Sequence, residues 1–380
     1  MTNTAPATSI KANQTHGGIT LLIVDGQIDF HPGRGGRPDG SLAIPDADKD
    51  ATRIANLIKS TLSNSKGGDD DDDGPDDDDG PDDATKSENT SAKDKNLNPG
   101  GSSKSAGRQI SRRINRIVAT MDSHHKLDIA HGSFWVDKDD NHPAPFTIIE
   151  SKEIQDGKWM PRGDLKLPPG DENFVDPKIF ITDEPLYDED GTFNLLQYAI
   201  EYTKRLEEGG KFKLCIWPEH CLMGTIGHCI EPEIQEALNQ WSDHNGSLVE
   251  YVLKGQSILT EMYSALKAEV ELSESTKFNT NLLQSLRQSD YILICGEALS
   301  HCVNHTARDM IDNMKGEEHK FIVLQDCASS VPGFDAAGQE FLTYMEEKGA
   351  TICPDFNTAF DEIDKIDVSK KRRKLSPCCT

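Results

Sequence analysis

The stretch Tyr291-Ile-Leu-Ile-Cys-Gly-Glu-Ala-Leu-Ser-His-Cys302 joins a short run of apolar, β-type residues to a segment with helical spacing. The run ends at Gly296, and a cysteine follows six residues later, where the helical pattern begins. A strand passing into a helix in this way sets the thiol at a helix N-terminus, above the C-terminal edge of a sheet. Unpaired N–H groups and the helix dipole favour a thiolate there. That edge is also where open α/β sheets bind ligands. Cys302 is therefore a candidate nucleophile, whereas Cys295, inside the run, reads as a buried, inert thiol.

Outward from this point, similar apolar runs recur at Ile19–Asp25, Ile114–Asp122, Phe212–Trp217, Leu248–Lys254 and Phe321–Asp326. Helical spacing separates them at Ala47–Leu62, Leu195–Glu208, Glu233–Trp241, Phe278–Gln288, Val303–Met314 and Ala336–Lys348. Strand alternates with helix, and the strands are continuously apolar instead of alternating. Both features predict an α/β fold of three layers, α/β/α, around a mainly parallel six-stranded sheet.

The chain has 380 residues and a formal net charge of −25. Much of that charge sits in Asp69–Asp73, Asp76–Asp79 and Asp82-Asp83, which are separated by Gly-Pro pairs. Residues 63–107 are nearly all Gly, Ser, Asn, Lys and Asp; they have little to bury and are predicted to be a disordered acidic insert. The acidity thus describes the insert, not the substrate, and argues against nucleic acid as a partner of the folded part. Residues 135–193 form a second, surface insertion rich in Pro, Asp and Gly. Its aromatics, among them Trp135, Phe146, Trp159 and Phe174, imply that it packs on the domain near the active-site edge. The expected organisation is a flexible N-terminus (1–15), one domain over 16–366 carrying the two insertions, and a basic tail (367–380).

Nine cysteines without Cys-x-x-Cys spacing, and no signal peptide, suggest reduced thiols and a cytosolic compartment. No apolar run approaches the ~18 residues needed to span a bilayer, so no membrane partner is expected. The basic run Lys370–Lys374 reads either as a solvated tail or as a signal for nuclear import machinery.

Three further strand ends carry chemistry. Asp25 closes the first strand and Lys254 another; with Cys302 they make a thiol-activating set, the lysine supplying charge and the carboxylate moving the thiol proton. Asp122-Ser-His124 closes the second strand, and Trp217-Pro-Glu-His220 follows the third. One carboxylate and two imidazoles, with water completing the coordination, suit zinc, iron or manganese. His125, His131, His142 and His228 read as histidines without that role.

These segments resemble the isochorismatase-like cysteine hydrolases, and among them the nicotinamidases. The resemblance is carried by Leu22-Ile-Val-Asp25-Gly-Gln-Ile-Asp-Phe30, Ala119-Thr-Met-Asp122-Ser-His124, Trp217-Pro-Glu-His220-Cys-Leu-Met-Gly224, Lys254-Gly255 and Gly296-Glu-Ala298-Leu-Ser-His-Cys302, in this order. It implies a catalytic triad of Asp25, Lys254 and Cys302, and one divalent metal ion, zinc first, on Asp122, His124 and His220. It also implies an oxyanion hole from the N–H groups of Ala298 and Cys302, a cis bond before Ala298, and Phe30 and Trp217 holding a pyridine ring. The implied reaction is hydrolysis of nicotinamide to nicotinate and ammonia through a Cys302 thioester, within pyridine nucleotide salvage, by a protein that forms homo-oligomers. Ser123 stands where nicotinamidases carry an aromatic, and the sequence after Lys254 diverges. Two alternatives stay open: hydrolysis of another small amide or carbamoyl compound, and a non-catalytic binding or scaffold protein.

Overall fold

The computed structural model describes residues 17–62, 113–167, 173–210 and 212–375, with side chains to residue 368. The expected flexible N-terminus and acidic insert lie outside these residues, as do the side chains of Lys370–Lys374.

Among the described residues, the strands are β1 Ile19–Val24, β2 Ile114–Asp122, β3 Trp135–Val136, β4 Ile148–Ile149, β5 Met160–Pro161, β6 Leu214–Cys215, β7 Glu250–Lys254, β8 Tyr291–Gly296, β9 Phe321–Leu324 and β10 Thr351–Cys353. The α-helices there are α1 Ala47–Ser60, α2 Ser151–Gln155, α3 Leu195–Gly209, α4 Pro232–Asn245, α5 Thr280–Arg287, α6 Cys302–Asn313, α7 Asp335–Lys348 and α8 Phe356–Leu375. Six strands form one parallel sheet in the order β10-β9-β8-β1-β2-β7.

Each central strand is buried on both faces, which explains its unbroken apolar text. In β1, Ile19, Leu21 and Ile23 pack on one side with Ile54 and Ile58 of α1, Trp241 of α4 and Phe360 of α8. Leu22 and Val24 pack on the other with Val303 and Met310 of α6 and Phe341 of α7. Helix ends follow local chemistry. The Asn194 and Asn279 side chains accept from the third amide on, capping α3 and α5. Pro232 opens α4 and left-handed Gly246 closes it.

The six-stranded parallel sheet is as expected, but one of its members differs. The run Phe212–Trp217 does not enter the sheet; only Leu214–Cys215 is extended, pairing antiparallel with Ile148–Ile149 of the second insertion. Its place is taken by β10, three residues long, at the far edge beside β9. The insertion packs on the domain: Trp135, Ile149, Val175 and Phe180 are fully or almost fully buried. Helix α8 continues through the position where the basic tail was expected to begin. Among the described residues, no helix is long and apolar enough to cross a membrane.

Candidate active site

The order β8-β1-β2-β7 brings four strand ends together. Register sets Val24 beside Gly296 and Asp122 beside Lys254. Asp25, Asp122, Lys254 and the turn into α6 therefore share one edge, at the point where the chain, having built β2 and β7 on one side of β1, returns to build β8 on the other. The backbone there is closely fitted. A Cβ on Gly296 (φ +109°) would lie 1.9 Å from the Val24 carbonyl oxygen.

Lys254 is the centre of the assembly, 2 % exposed. Its Nζ lies 2.9 Å from Asp25 Oδ2, 3.1 Å from Asp122 Oδ1 and 3.5 Å from Cys302 Sγ, and donates to the Met262 carbonyl at 3.0 Å. Asp25 Oδ2 and Asp122 Oδ1 are within ion-pair distance but off the hydrogen-bond line, so the attraction is mainly charge on charge. The second Asp25 oxygen accepts from Thr120 Oγ1 at 2.6 Å. Gln27 fixes Asp122 through its backbone, donating to the Asp122 carbonyl and accepting from the Asp122 N–H, each at 2.7 Å.

Burial alone would lower the lysine, but the Asp122 and Asp25 carboxylates hold it well above its usual range, and it is charged. Burial raises Asp25 against the pull of Lys254. Burial also pushes the Cys302 thiol well up, and the nearby Lys254 does not reverse it because Asp25 and Asp122 add to the rise. The helix-start thiolate expected from sequence is thus corrected: at rest Cys302 is a thiol, and its activation requires transfer of the proton to a neighbour. An Asp25 carboxylate oxygen lies within 4.8 Å of its Sγ.

Asp122 faces a second group through its other oxygen. Asp122 Oδ2 lies 3.1 Å from His124 Nε2 and 3.5 Å from His220 Nε2. His124 Nδ1 donates to Asp128 Oδ2 at 3.1 Å, and His220 Nδ1 donates to the Pro218 carbonyl at 2.8 Å. These outer partners orient both Nε2 atoms toward the carboxylate. His124 Nε2 is buried without a hydrogen-bond partner, and the three candidate ligand atoms lie within 4.8 Å of one another. A divalent cation fits this donor set. Without one, burial would lower His124, but Asp122 and Asp128 push it well above its usual range, and a proton balances the carboxylates. Donor atoms of Asp25, Asp122 and Cys302 also lie within 4.8 Å of one another, but the Lys254 ammonium sits among them and repels a cation.

Phe30 stands edge-on to His220 at 5.4 Å, and Trp217 donates through Nε1 to Tyr263 Oη at 3.0 Å. Phe30, Trp217, Ala298 and Cys302 line one small cavity of about 20 Å³, together with Asp122 and His220. The Glu297–Ala298 bond is cis. Among the described residues, the Ala298 and Cys302 amides donate to no protein acceptor.

Sequence reasoning missed three groups. His131, set aside as a bystander, packs against His124 and His220 at ring distances of 5.1 and 5.6 Å, with a buried, unpartnered Nε2. Burial lowers it to about 4, so it is neutral. Asp128 orients His124 four residues on, a spacing readable in the sequence. Glu261, from the segment after Lys254, lines the cavity, and burial raises its carboxyl to about 7. His142 and His228 are used elsewhere, on the Trp135 carbonyl and Ser123 Oγ.

No family model and no curated protein matches the chain. Solved structures do. A nicotinamidase/pyrazinamidase from Acinetobacter baumanii is 16 % identical over 90 % of this chain and 96 % of its own, with a TM-score of 0.45. The yeast nicotinamidase Pnc1p is 16 % identical over 88 % and 98 %, with a TM-score of 0.47. The pyrazinamidase of Pyrococcus horikoshii, in complex with zinc, is 16 % identical over 88 % and 98 %, with a TM-score of 0.38.

Proposed function

We propose that this protein is a metal-dependent cysteine amidohydrolase acting on nicotinamide. One observation carries the reading: Lys254 is in contact with both Asp25 and Cys302, which lie within 4.8 Å of each other, and it also touches the carboxylate of the Asp122, His124 and His220 cluster. A thiol, its proton acceptor and a fixed positive charge therefore form one buried cluster with a donor set for a divalent ion.

The chemistry follows from the positions. Asp25 accepts the Cys302 proton, and the Sγ thiolate forms a bond to the carboxamide carbon. The Ala298 and Cys302 N–H groups, free of protein acceptors, receive the negative charge on the carbonyl oxygen. Asp25 returns the proton to the amide nitrogen, the C–N bond breaks, and ammonia leaves a thioester. Water then adds to the acyl carbon, Asp25 takes its proton and passes it to sulfur, and the acid departs from the restored thiol. Lys254 keeps its charge throughout and lowers the energy of both anionic partners. A divalent ion on Asp122, His124 and His220, zinc in the first instance, would supply a Lewis-acid site for the pyridine nitrogen. Phe30 and Trp217 would then flank the ring.

A second reading rests on Glu261. A carboxyl that changes charge near neutrality inside the cavity suits a small amide with an additional hydrogen-bond donor. Ammonia release from nicotinamide, measured beside related amides on metal-replete protein, decides between the two. Turnover of nicotinamide is expected; turnover of another amide without it refutes the first reading.

A further inference from the structure

The cavity at Cys302 is smaller than the ring it would have to hold. Its volume is about 20 Å³, whereas a cavity that takes up benzene measures about 150 Å³. Its walls are also closed. Phe30, Leu42, Trp217, Tyr263 and Val331 are buried, and the most exposed liner, His301, is only 8 % exposed. Part of this wall has to move before an aromatic amide reaches Sγ.

His301 is the part of the wall with space behind it. A second cavity of about 410 Å³ lies between α6, α7 and the connection from α3 to β6. Phe212, His305, Phe334 and Ala337 line it, and so does His301. Among the described residues, His301 alone lines both cavities. One imidazole therefore separates the small space at the thiol from a space wide enough for a substituted ring.

The way the ring is held suits it to turning. It meets other rings at their edges or at a tilt: Phe334 at 4.7 Å, Trp217 at 5.1 Å and Tyr263 at 5.3 Å. Its Nδ1 shares a hydrogen bond of 2.8 Å with Ser300 Oγ. Burial lowers it to about 4, so the ring is uncharged at neutral pH and carries no charge past its apolar neighbours. Those neighbours are tied to one another. Trp217 donates to Tyr263 Oη at 3.0 Å, and Phe212 packs edge-on against Tyr263 at 4.8 Å.

We propose that His301 is a specificity-determining residue: its imidazole is the movable partition between the cavity at Cys302 and the α6–α7 cavity, through which a planar, uncharged amide reaches the thiol. When the ring turns, the two spaces join, and the aromatic walls of Phe212, Phe334 and Trp217 accept the flat faces of the incoming molecule. The breadth of the opening then sets the size of ring that is hydrolysed. This rests on Cys302 as the reacting thiol and holds whether or not nicotinamide is the amide.

The test uses the full chain as wild type, His301→Ala and Ala337→Trp, with Ala337→Leu as a smaller filling of the same cavity should the tryptophan unfold the protein. Each is alkylated with iodoacetamide and, separately, with iodoacetanilide, which carries the same reacting carbon and an added ring. Mass spectrometry follows the Cys302 peptide, and the exposed Cys229 serves as reference. In His301→Ala, the anilide rate relative to the iodoacetamide rate should rise by about 10-fold or more at Cys302, the scale on which a pocket wall discriminates by size. At Cys229 the ratio should not change. Ala337→Trp or Ala337→Leu, which narrows the outer cavity without touching the thiol, should slow both reagents at Cys302. An unchanged ratio in His301→Ala overturns the proposal. So do wild-type rates in the folded Ala337 variant, which would place the entrance on the Leu42 and Val331 side instead. Ammonia release adds a second readout: in His301→Ala, kcat/KM for ring-substituted nicotinamides should rise relative to nicotinamide itself. Wild type that releases no ammonia from nicotinamide refutes the nicotinamidase reading, and the alkylation rates then decide the partition alone.

Discussion

Lys254→Met removes the one cation between two buried carboxylates. Methionine has similar length and no charge, so packing is nearly kept and the change is electrostatic. Lys254 and Asp25 are both fully or almost fully buried, and the ammonium lies 2.9 and 3.1 Å from the two carboxylates. Breaking such a buried pair by removing one partner costs about 3–5 kcal/mol. At about 2–4 °C per kcal/mol, the melting temperature should fall by roughly 6–20 °C. Measured with metal chelated, the deficit should also depend on pH, with a definite sign. In the wild type, charges around Asp122 hold it well below its usual range, so its contribution is present above the unfolded value and lost as pH falls through the folded one. In the variant, Asp25 and Asp122 lack the cation and their folded values rise, so stability is lost as pH rises. The gap between the two proteins should therefore be wide at pH 8 and narrow toward pH 5. Melting curves by circular dichroism across that range are the assay. A gap independent of pH, or absent, would show that Lys254 is not paired with ionised carboxylates.

Cys302→Ala should abolish thioester formation and reduce ammonia release to background, while thermal stability shifts little because a small buried thiol is replaced by a methyl group; residual turnover above a few per cent would sink its role as nucleophile. His124→Ala should lower bound metal measured by elemental analysis, and Asp128→Asn should lower it by about 10–100-fold in affinity, as the loss of an orienting partner does. Gly255→Ala should destabilise the protein, since Gly255 has φ +75° and a Cβ would stand 2.8 Å from Asp122 Oδ1; an unchanged melting curve would contradict the closeness of that turn.

Most of the candidate site was legible because parallel strands put their last residues on one edge. Asp25, Asp122 and Lys254 could be read from strand ends, and Cys302 from the strand-to-helix turn. Phe212–Trp217 misled because a short apolar run does not state its partners; its neighbour turned out to be the insertion, through Ile148–Ile149. The strand Thr351–Cys353 was missed because three residues show no period. His131 and Glu261 come from segments that approach the cavity only after the chain has folded, so their spacing carried no signal. Glu297 was hidden differently: nothing in the sequence shows that its side chain turns inward, fully buried, to accept from the Ser329 N–H.

Asp122 bears on how this protein can be dissected genetically. Its Oδ1 belongs to Lys254 and its Oδ2 to the two imidazoles, so one side chain serves two tasks. A loss of activity in an Asp122 variant therefore assigns nothing, because either half would produce it. Separation of function has to be sought one residue further out. Thr120 touches only the Asp25 side, and Asp128 only the His124 side. Their single and double variants form a cycle in which any departure from additivity measures how far the two halves work as one.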